Sequence, residues 1–191
     1  VQVLTQLHIP FDEQKIGEVS APLLKRYDAV ILADVVSMSD TQCRMLDSFV
    51  EKGGTLIADG CSSMSDERRQ PRKHMGLQCL GMDEITEKKQ VRSAIFQFSD
   101  AEKEAWVSCK ESGVDCIVPG DLVVTGTRRK EAKTYLHMVP NQPFGPPEIC
   151  YSTEKTEIAG VYERDYGSGK SLYIPFRIAA FYYEFGYDNS Y

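Results

Sequence analysis

The chain has 191 residues, 42% of them hydrophobic and 26% charged, the usage of an ordinary globular domain and far from disordered or fibrous compositions. Ten Tyr and eight Phe supply enough apolar area for a core without disulfides or a structural metal. Lys and Arg total 22 against 28 Asp and Glu, a formal charge of -6, which repels a nucleic-acid backbone and excludes generic DNA or RNA binding.

No run approaches the roughly 18 apolar residues that cross a bilayer, and no basic stretch followed by an apolar one opens the chain. Val1-Gln-Val-Leu-Thr-Gln-Leu7 reads as the interior of a helix or strand already under way. The expectation is a piece of a longer polypeptide, with the compartment, cytoplasmic or periplasmic, left open. His8-Ile-Pro-Phe-Asp12 reads as a short strand or edge segment, and residues 21–26 as a brief turn of helix.

The clearest signal follows. Asp28-Ala-Val-Ile-Leu-Ala-Asp34 is a continuous apolar run closed by an acid, which predicts a buried central strand of a parallel sheet, covered on both faces. Ser39-Asp40-Thr41-Gln42 supplies an N-cap, an acid at the positive dipole end and the Gln of a capping box. Cys43, Leu46, Phe49 and Val50 then recur at helical spacing, Arg44, Asp47, Glu51 and Lys52 take the wet side, and Gly53-Gly54 stops the helix. Thr55-Leu-Ile-Ala-Asp59 is the next strand, so strand, helix and strand form a right-handed α/β crossover.

Residues 62–73 read as a polar loop over the sheet's C-terminal edge, carrying Arg68, Arg69, Arg72 and Lys73 and broken by Pro71. Residues 74–81, with Met75, Leu77 and Leu80 apolar, predict a short helix closed by Gly81. From there the α/β rhythm gives way to a β-rich insertion at about 83–140, with strands at 93–98, 121–125 and 133–139. Three prolines and a glycine make 141–147 a loop or linker. Residues 158–166 and 170–176 flank Gly167-Ser168-Gly169 as a hairpin. The C-terminal stretch gathers Phe181, Tyr182, Tyr183, Phe185, Tyr187 and Tyr191, more ring area than one terminal segment normally buries, and reads as an interface patch.

Candidate chemistry is sparse. Cys43, Cys61, Cys79, Cys109, Cys116 and Cys150 form no C-x-x-C pair, and His8, His74 and His137 stand alone, so neither a metal nor a cofactor is expected. Gly167-Ser-Gly-Lys-Ser171 looks like the tail of a phosphate-binding loop, but Arg164 stands where its first glycine belongs and strand residues follow where a helix should. Asp34 and Asp59 end adjacent strands at the edge where α/β folds bind ligands. They are candidate ligand-binding residues, or caps for neighbouring loops. Cys61 joins them as a candidate because Asp59-Gly60-Cys61-Ser62-Ser63 follows a strand directly, where a nucleophile elbow would sit. No neighbouring base or oxyanion-stabilising helix N-terminus accompanies the thiol, and His137 falls inside a strand. The basic residues of 68–73 suit a solvated loop or an acidic patch on a neighbouring subunit.

Residues 27–60, with Tyr27-Asp-Ala-Val-Ile-Leu-Ala-Asp34, the Phe49-Val50 helix and Glu51-Lys-Gly-Gly-Thr-Leu-Ile-Ala-Asp-Gly60, resemble the β-galactosidase trimerisation domain. His74-Met-Gly-Leu-Gln-Cys-Leu-Gly-Met82 is similar to that family's closing segment. Gly160-Val-Tyr-Glu-Arg-Asp-Tyr-Gly-Ser-Gly-Lys-Ser-Leu-Tyr-Ile-Pro-Phe176, preceded by Pro146-Pro-Glu-Ile149, looks like the returning strands of glycosidases that carry this domain behind a fucosidase-like barrel.

The resemblance implies a three-layer, flavodoxin-like or class I amidotransferase-like parallel sheet with helices on both faces, residues 1–191 forming one such domain C-terminal to a catalytic (β/α)8 barrel. It further implies a non-catalytic role in subunit assembly, as a homo-oligomer such as a trimer, or in walling an active site whose carbohydrate substrate is met by the parent enzyme. Two other readings stay open: a cysteine-dependent amidase or hydrolase using Cys61, and a carbohydrate-binding module, for which Trp106 is the lone tryptophan.

Overall fold

The computed structural model describes residues 2–91, 94–105, 115–120, 122–140, 146 and 154–178. Short helices α1 (Gln2–Gln6) and α2 (Ala21–Leu24) precede strand β1 (Ala29–Leu32), helix α3 (Asp40–Glu51) and strand β2 (Thr55–Asp59). Then come β3 (Met82–Gln90), β4 (Ile95–Gln97), α4 (Asp100–Ala105), β5 (Cys116–Ile117), β6 (Leu122–Arg128), β7 (Lys133–Val139), β8 (Ala159–Tyr166) and β9 (Gly169–Ile174). The expected strand at residues 8–12 is irregular chain instead: Pro10 cannot donate to a ladder, and His8 turns through a positive φ of 53°.

The crossover forms as its sequence dictates. Ser39 Oγ accepts the Gln42 N–H and Gln42 Oε1 accepts the Ser39 N–H, closing the capping box. Gly53, at φ 111°, ends α3 in a conformation open to glycine.

Seven strands make one sheet in the order β1-β2-β9-β8-β7-β4-β5. It is parallel across β1, β2 and β9 and antiparallel from β9 onward, so the sheet is mixed, within an α/β amidotransferase-like fold. The β-rich stretch divides. Its strands β4, β5 and β7 extend the main sheet, while β3 and β6 pair as a separate two-stranded ribbon. The glycine turn of the β8–β9 hairpin rests on the end of α3, where Glu51 O accepts the Ser168 N–H at 2.9 Å. A Cβ at Gly167 would meet that same backbone, so the glycine there serves packing rather than phosphate binding.

Two buried clusters hold the molecule. Leu32, Leu56, Ala58 and Tyr173 pack with Cys43, Leu46 and Val50 of α3 in the first. Phe96, Val123, Leu136, Val161 and Phe176 make the second, with the Phe96 and Phe176 rings stacked at 5.0 Å.

Three expectations are corrected. β1 is not a central strand covered on both faces: it ends the sheet order, and Ile31 is 52% exposed. An apolar run reports side-chain chemistry, not how many neighbours a strand has. Residues 74–81 form turns rather than a helix. Met75, Leu77, Cys79 and Leu80 still reach the core, but as anchors of an irregular segment, and Gly81 is required because a Cβ there would press on Ala132 and Tyr162. Asp47 is not on the wet side of α3. It is buried and fastens that segment by accepting the Gln78 N–H at 3.1 Å and the Cys79 N–H at 2.8 Å.

Candidate functional site

Asp34, Asp59 and Cys61 come together at the C-terminal ends of β1 and β2. Asp59 Oδ1 accepts the Asp34 N–H at 2.6 Å, and Asp34 Oδ1 accepts the Cys61 N–H at 2.7 Å. The backbone is contorted to allow this: Asp34, Gly60 and Ser63 have φ of 50°, 57° and 62°, left-handed values that non-glycine residues adopt only when the surroundings enforce them. Glycine is needed at position 60, because a Cβ there would collide with the Asp34 carboxylate.

The other polar groups of the turn are equally engaged. Ser62 Oγ accepts the Val35 N–H at 3.0 Å and donates to Asp59 O at 2.7 Å. The Gly60 N–H reaches Ile174 O and Phe176 O, the Ser62 N–H reaches Asp59 O, and the Ser63 N–H reaches Val35 O. The hydroxyl of fully buried Tyr173 donates to Gly60 O at 2.7 Å. An elbow that stabilises an oxyanion keeps the amide after its nucleophile free for substrate. Here that amide, Ser62 N–H, is bonded to the protein's own carbonyl.

Electrostatics agree with the geometry. Burial pushes the Cys61 thiol above its ordinary pKa; the Lys88 ammonium and the Arg177 guanidinium oppose this, while the Asp34 carboxylate adds to it. Burial also raises the Asp59 carboxyl, against the Asp34 and Ile178 N–H bonds that favour its charged form. The histidines lie elsewhere. His74 Nδ1 is 3.5 Å from an Asp83 oxygen, His137 acts on Glu102, and His8 is exposed. Cys43 is pushed up to about 11 by burial, and Cys79 is raised further by the same cause. Among the described residues no group of three His, Cys, Asp or Glu side chains is placed to hold a metal ion.

Sequence reasoning missed Arg177 and Lys88. Arg177 was within reach, since it stands three residues beyond Ile174, the end of β9, which runs parallel to β2 and ends beside Asp59. Lys88 carried no local signal, because only the long-range pairing of β3 with β6 brings it there. In the basic loop, Arg72 bonds Asp40 at 2.6 Å and Met38 O at 3.0 Å, tying the loop to the start of α3. Lys73 pairs with Glu84 at 3.2 Å, and Arg68 and Arg69 are exposed. The aromatic residues Phe181, Tyr182, Tyr183, Phe185 and Tyr187, and Trp106, lie outside the described residues. A cleft of about 340 Å³ lies away from this edge, lined by Leu24, Tyr27, Phe49 and Lys52 among others, and by none of the candidate residues. No described helix is long and apolar enough to cross a membrane.

No protein-family model matches the sequence, and no curated protein matches it. Solved structures do match. Gan42B, a GH42 β-galactosidase from G. stearothermophilus, aligns with 85% of this chain at 19% identity and a TM-score of 0.58. A β-galactosidase from Bacillus circulans sp. alkalophilus covers 85% at 16% identity and a TM-score of 0.56.

The fold is that of a domain within GH42 β-galactosidases. This chain spans only about a fifth of their length, 21% and 23% in the two cases. The same fold also occurs in smaller proteins. A cytoplasmic protein from Salmonella typhimurium LT2 matches 90% of this chain and 71% of its own, at 10% identity and a TM-score of 0.57.

Proposed function

We propose that this chain is a non-catalytic accessory domain of a larger glycoside hydrolase, residues 1–191 forming one unit C-terminal to a catalytic barrel. Its work is subunit assembly or walling of the active site; the carbohydrate is met by the parent enzyme, and the aromatic residues 181–187 supply apolar surface for contact. One observation carries the non-catalytic part: the strand-end turn spends its own amides and carboxylates on itself. With Cys61 N–H held by Asp34, Ser62 N–H held by Asp59 O and the thiol raised by burial, neither an ionised nucleophile nor an oxyanion site is provided. The partial coverage of the GH42 chains supports the accessory placement.

The test combines thiol chemistry with light scattering. Iodoacetamide at neutral pH is expected to leave Cys61 unmodified in the native chain, and Cys61→Ser to leave any hydrolysis by the parent unchanged. Light scattering is expected to show an oligomer. Stoichiometric alkylation of Cys61, or loss of hydrolysis in Cys61→Ser, restores the cysteine-hydrolase reading. A monomeric parent that keeps full activity without residues 1–191 removes both accessory roles.

A further inference from the structure

Seven large hydrophobic side chains stand exposed among the described residues. Four of them, Val3, Leu7, Ile9 and Phe11, lie in one short arm, and a fifth is Ile31 of β1. The arm is rooted beside β1, because the Tyr27 hydroxyl donates to the Asp12 carboxylate at 2.5 Å. β1 is itself an open edge, with β2 as its one neighbour in the sheet. Asp28 O accepts the Thr55 N–H, so in the parallel ladder Asp28, Val30 and Leu32 turn their backbone groups to β2, while Ala29, Ile31 and Ala33 turn theirs outward. Among the described residues those outward groups have no backbone partner. Natural edges are blunted by Lys, Pro or a bulge. Ala29-Val-Ile-Leu32 contains neither residue and pairs with β2 in unbroken register.

We propose that the arm of a second copy, residues 9–13, adds to this edge as an antiparallel strand, each copy lending its arm to the other about a twofold axis. This rests on the assembly reading above and names its partner. Facing residues of an antiparallel pair exchange both hydrogen bonds and share a face of the sheet. An extended arm presents the backbone groups of Ile9, Phe11 and Glu13 on one side, and the register that sets Phe11 against Ile31 sets Ile9 against Ala33 and Glu13 against Ala29. Both alanines are exposed, so the large ring meets the large aliphatic side chain and the flanking places are small. The Ile9 N–H is already held by Leu4 O at 2.9 Å, where α1 ends, but the Ile9 carbonyl and both groups of Phe11 and Glu13 carry no backbone bond among the described residues. Pro10 lacks its N–H only on the far side of the added strand. There it blunts the new outer edge and bars a third strand, so the exchange closes at two copies.

Cross-linking between singly substituted full chains tests this. Facing residues of such a pair stand about 5.5 Å apart at Cα, within the span of a disulfide. Phe11→Cys mixed with Ile31→Cys is expected, under oxidised glutathione, to give a cross-linked dimer severalfold above either variant alone, which sets the background from the native cysteines. By light scattering the wild type is expected to be a dimer, and Phe11→Asp or Ile31→Lys to weaken it about tenfold. The circular dichroism of both variants is expected to match the wild type, since the two side chains are 39% and 52% exposed. No excess cross-link in the mixture overturns the proposal. A cross-link confined to a chain bearing both substitutions overturns it in favour of the chain's own arm. An oligomer that survives Phe11→Asp upholds the assembly reading and overturns the arm exchange, and a wild-type monomer at every concentration removes subunit assembly with it. If Ile31→Cys does not fold, hydrogen exchange at the wild-type Ile31 amide decides: exchange that quickens on dilution supports the second copy's arm, and exchange independent of concentration overturns it.

Discussion

Asp34 Oδ1 holds the backbone N–H of Cys61 at 2.7 Å, so the residue at the elbow position is fixed by a carboxylate on the neighbouring strand end. Asp34 makes this bond from a left-handed backbone, φ 50°. Replacement by Ala loses the acceptor and keeps the strain, at a cost of about 2–4 kcal/mol. Asp34→Gly relieves the strain and loses only the bond, at about 1–2 kcal/mol. Urea denaturation should rank wild type above Asp34→Gly above Asp34→Ala; the reverse order of the two variants contradicts the strain at this site.

Asp59 gives a pH dependence of defined sign. Burial, the largest influence, raises its carboxyl in the folded state, so the folded chain binds the proton more tightly than the unfolded chain. Its contribution makes stability fall as pH rises from the ordinary aspartate value through the raised one. Asp59→Asn keeps an oxygen for the Asp34 N–H and has no charge to desolvate. The expected outcome is stability at pH 7 equal to or above wild type, with a shallower decline across that window in urea titrations at stepped pH.

Glu102 behaves with the opposite sign. Burial pushes its carboxyl up, but bonds from the Ser99 N–H and hydroxyl and the Leu136 N–H, with His137 nearby, outweigh that and leave it below the ordinary glutamate value. Its stabilising contribution is fully present above that ordinary value and is lost as pH falls through the lowered one. The carboxylate closes a capping box with Ser99 at the start of α4 and reaches Leu136 at 3.0 Å, where β7 takes a positive φ of 59°. Glu102→Gln should flatten the acid limb of the stability curve, and an unchanged limb counts against this bond.

Asp47 tests the corrected segment at 74–81. Asp47→Ala leaves the Gln78 and Cys79 amides without their carboxylate, the second of them buried, for about 2–4 kcal/mol. Asp47→Asn keeps one acceptor and costs about half as much. Hydrogen exchange at Cys79 should rise more in the alanine variant than in the asparagine variant.

Local signals in the sequence carried far, and what they missed was long-range. Ser39 and Gln42 announce the start of α3 because a capping box is closed within four residues, and the alternation from Lys133 to Val139 matches β7. The glycine turn at 167–169 could be told from a phosphate loop because strand residues follow it. The edge position of β1 and the split of the β-rich stretch between sheet and ribbon depend on which distant strand becomes a neighbour, and an apolar run does not encode that. Asp47 looked like an outer-face residue because its partners, Gln78 and Cys79, lie some 31 residues on. At the candidate site, Asp34, Asp59 and Cys61 were legible from their positions at strand ends. That their groups would satisfy one another was not, since it depends on three left-handed residues whose backbone angles only the assembled turn enforces.

The pairing of β2 with β9 sets Leu56 beside Ser171, roughly 115 positions apart. A ribosome making this protein releases the crossover unit early, yet the inner edge of that unit meets its neighbour only once residues 169–174 have emerged. Until then the Leu56 row offers unpaired hydrogen-bonding groups to any passing strand, and closing so large a loop is slow. Nascent chains from which residues 169–174 have not yet emerged should therefore be the aggregation-prone ones and the clients of chaperones, while those that expose them should resist proteases.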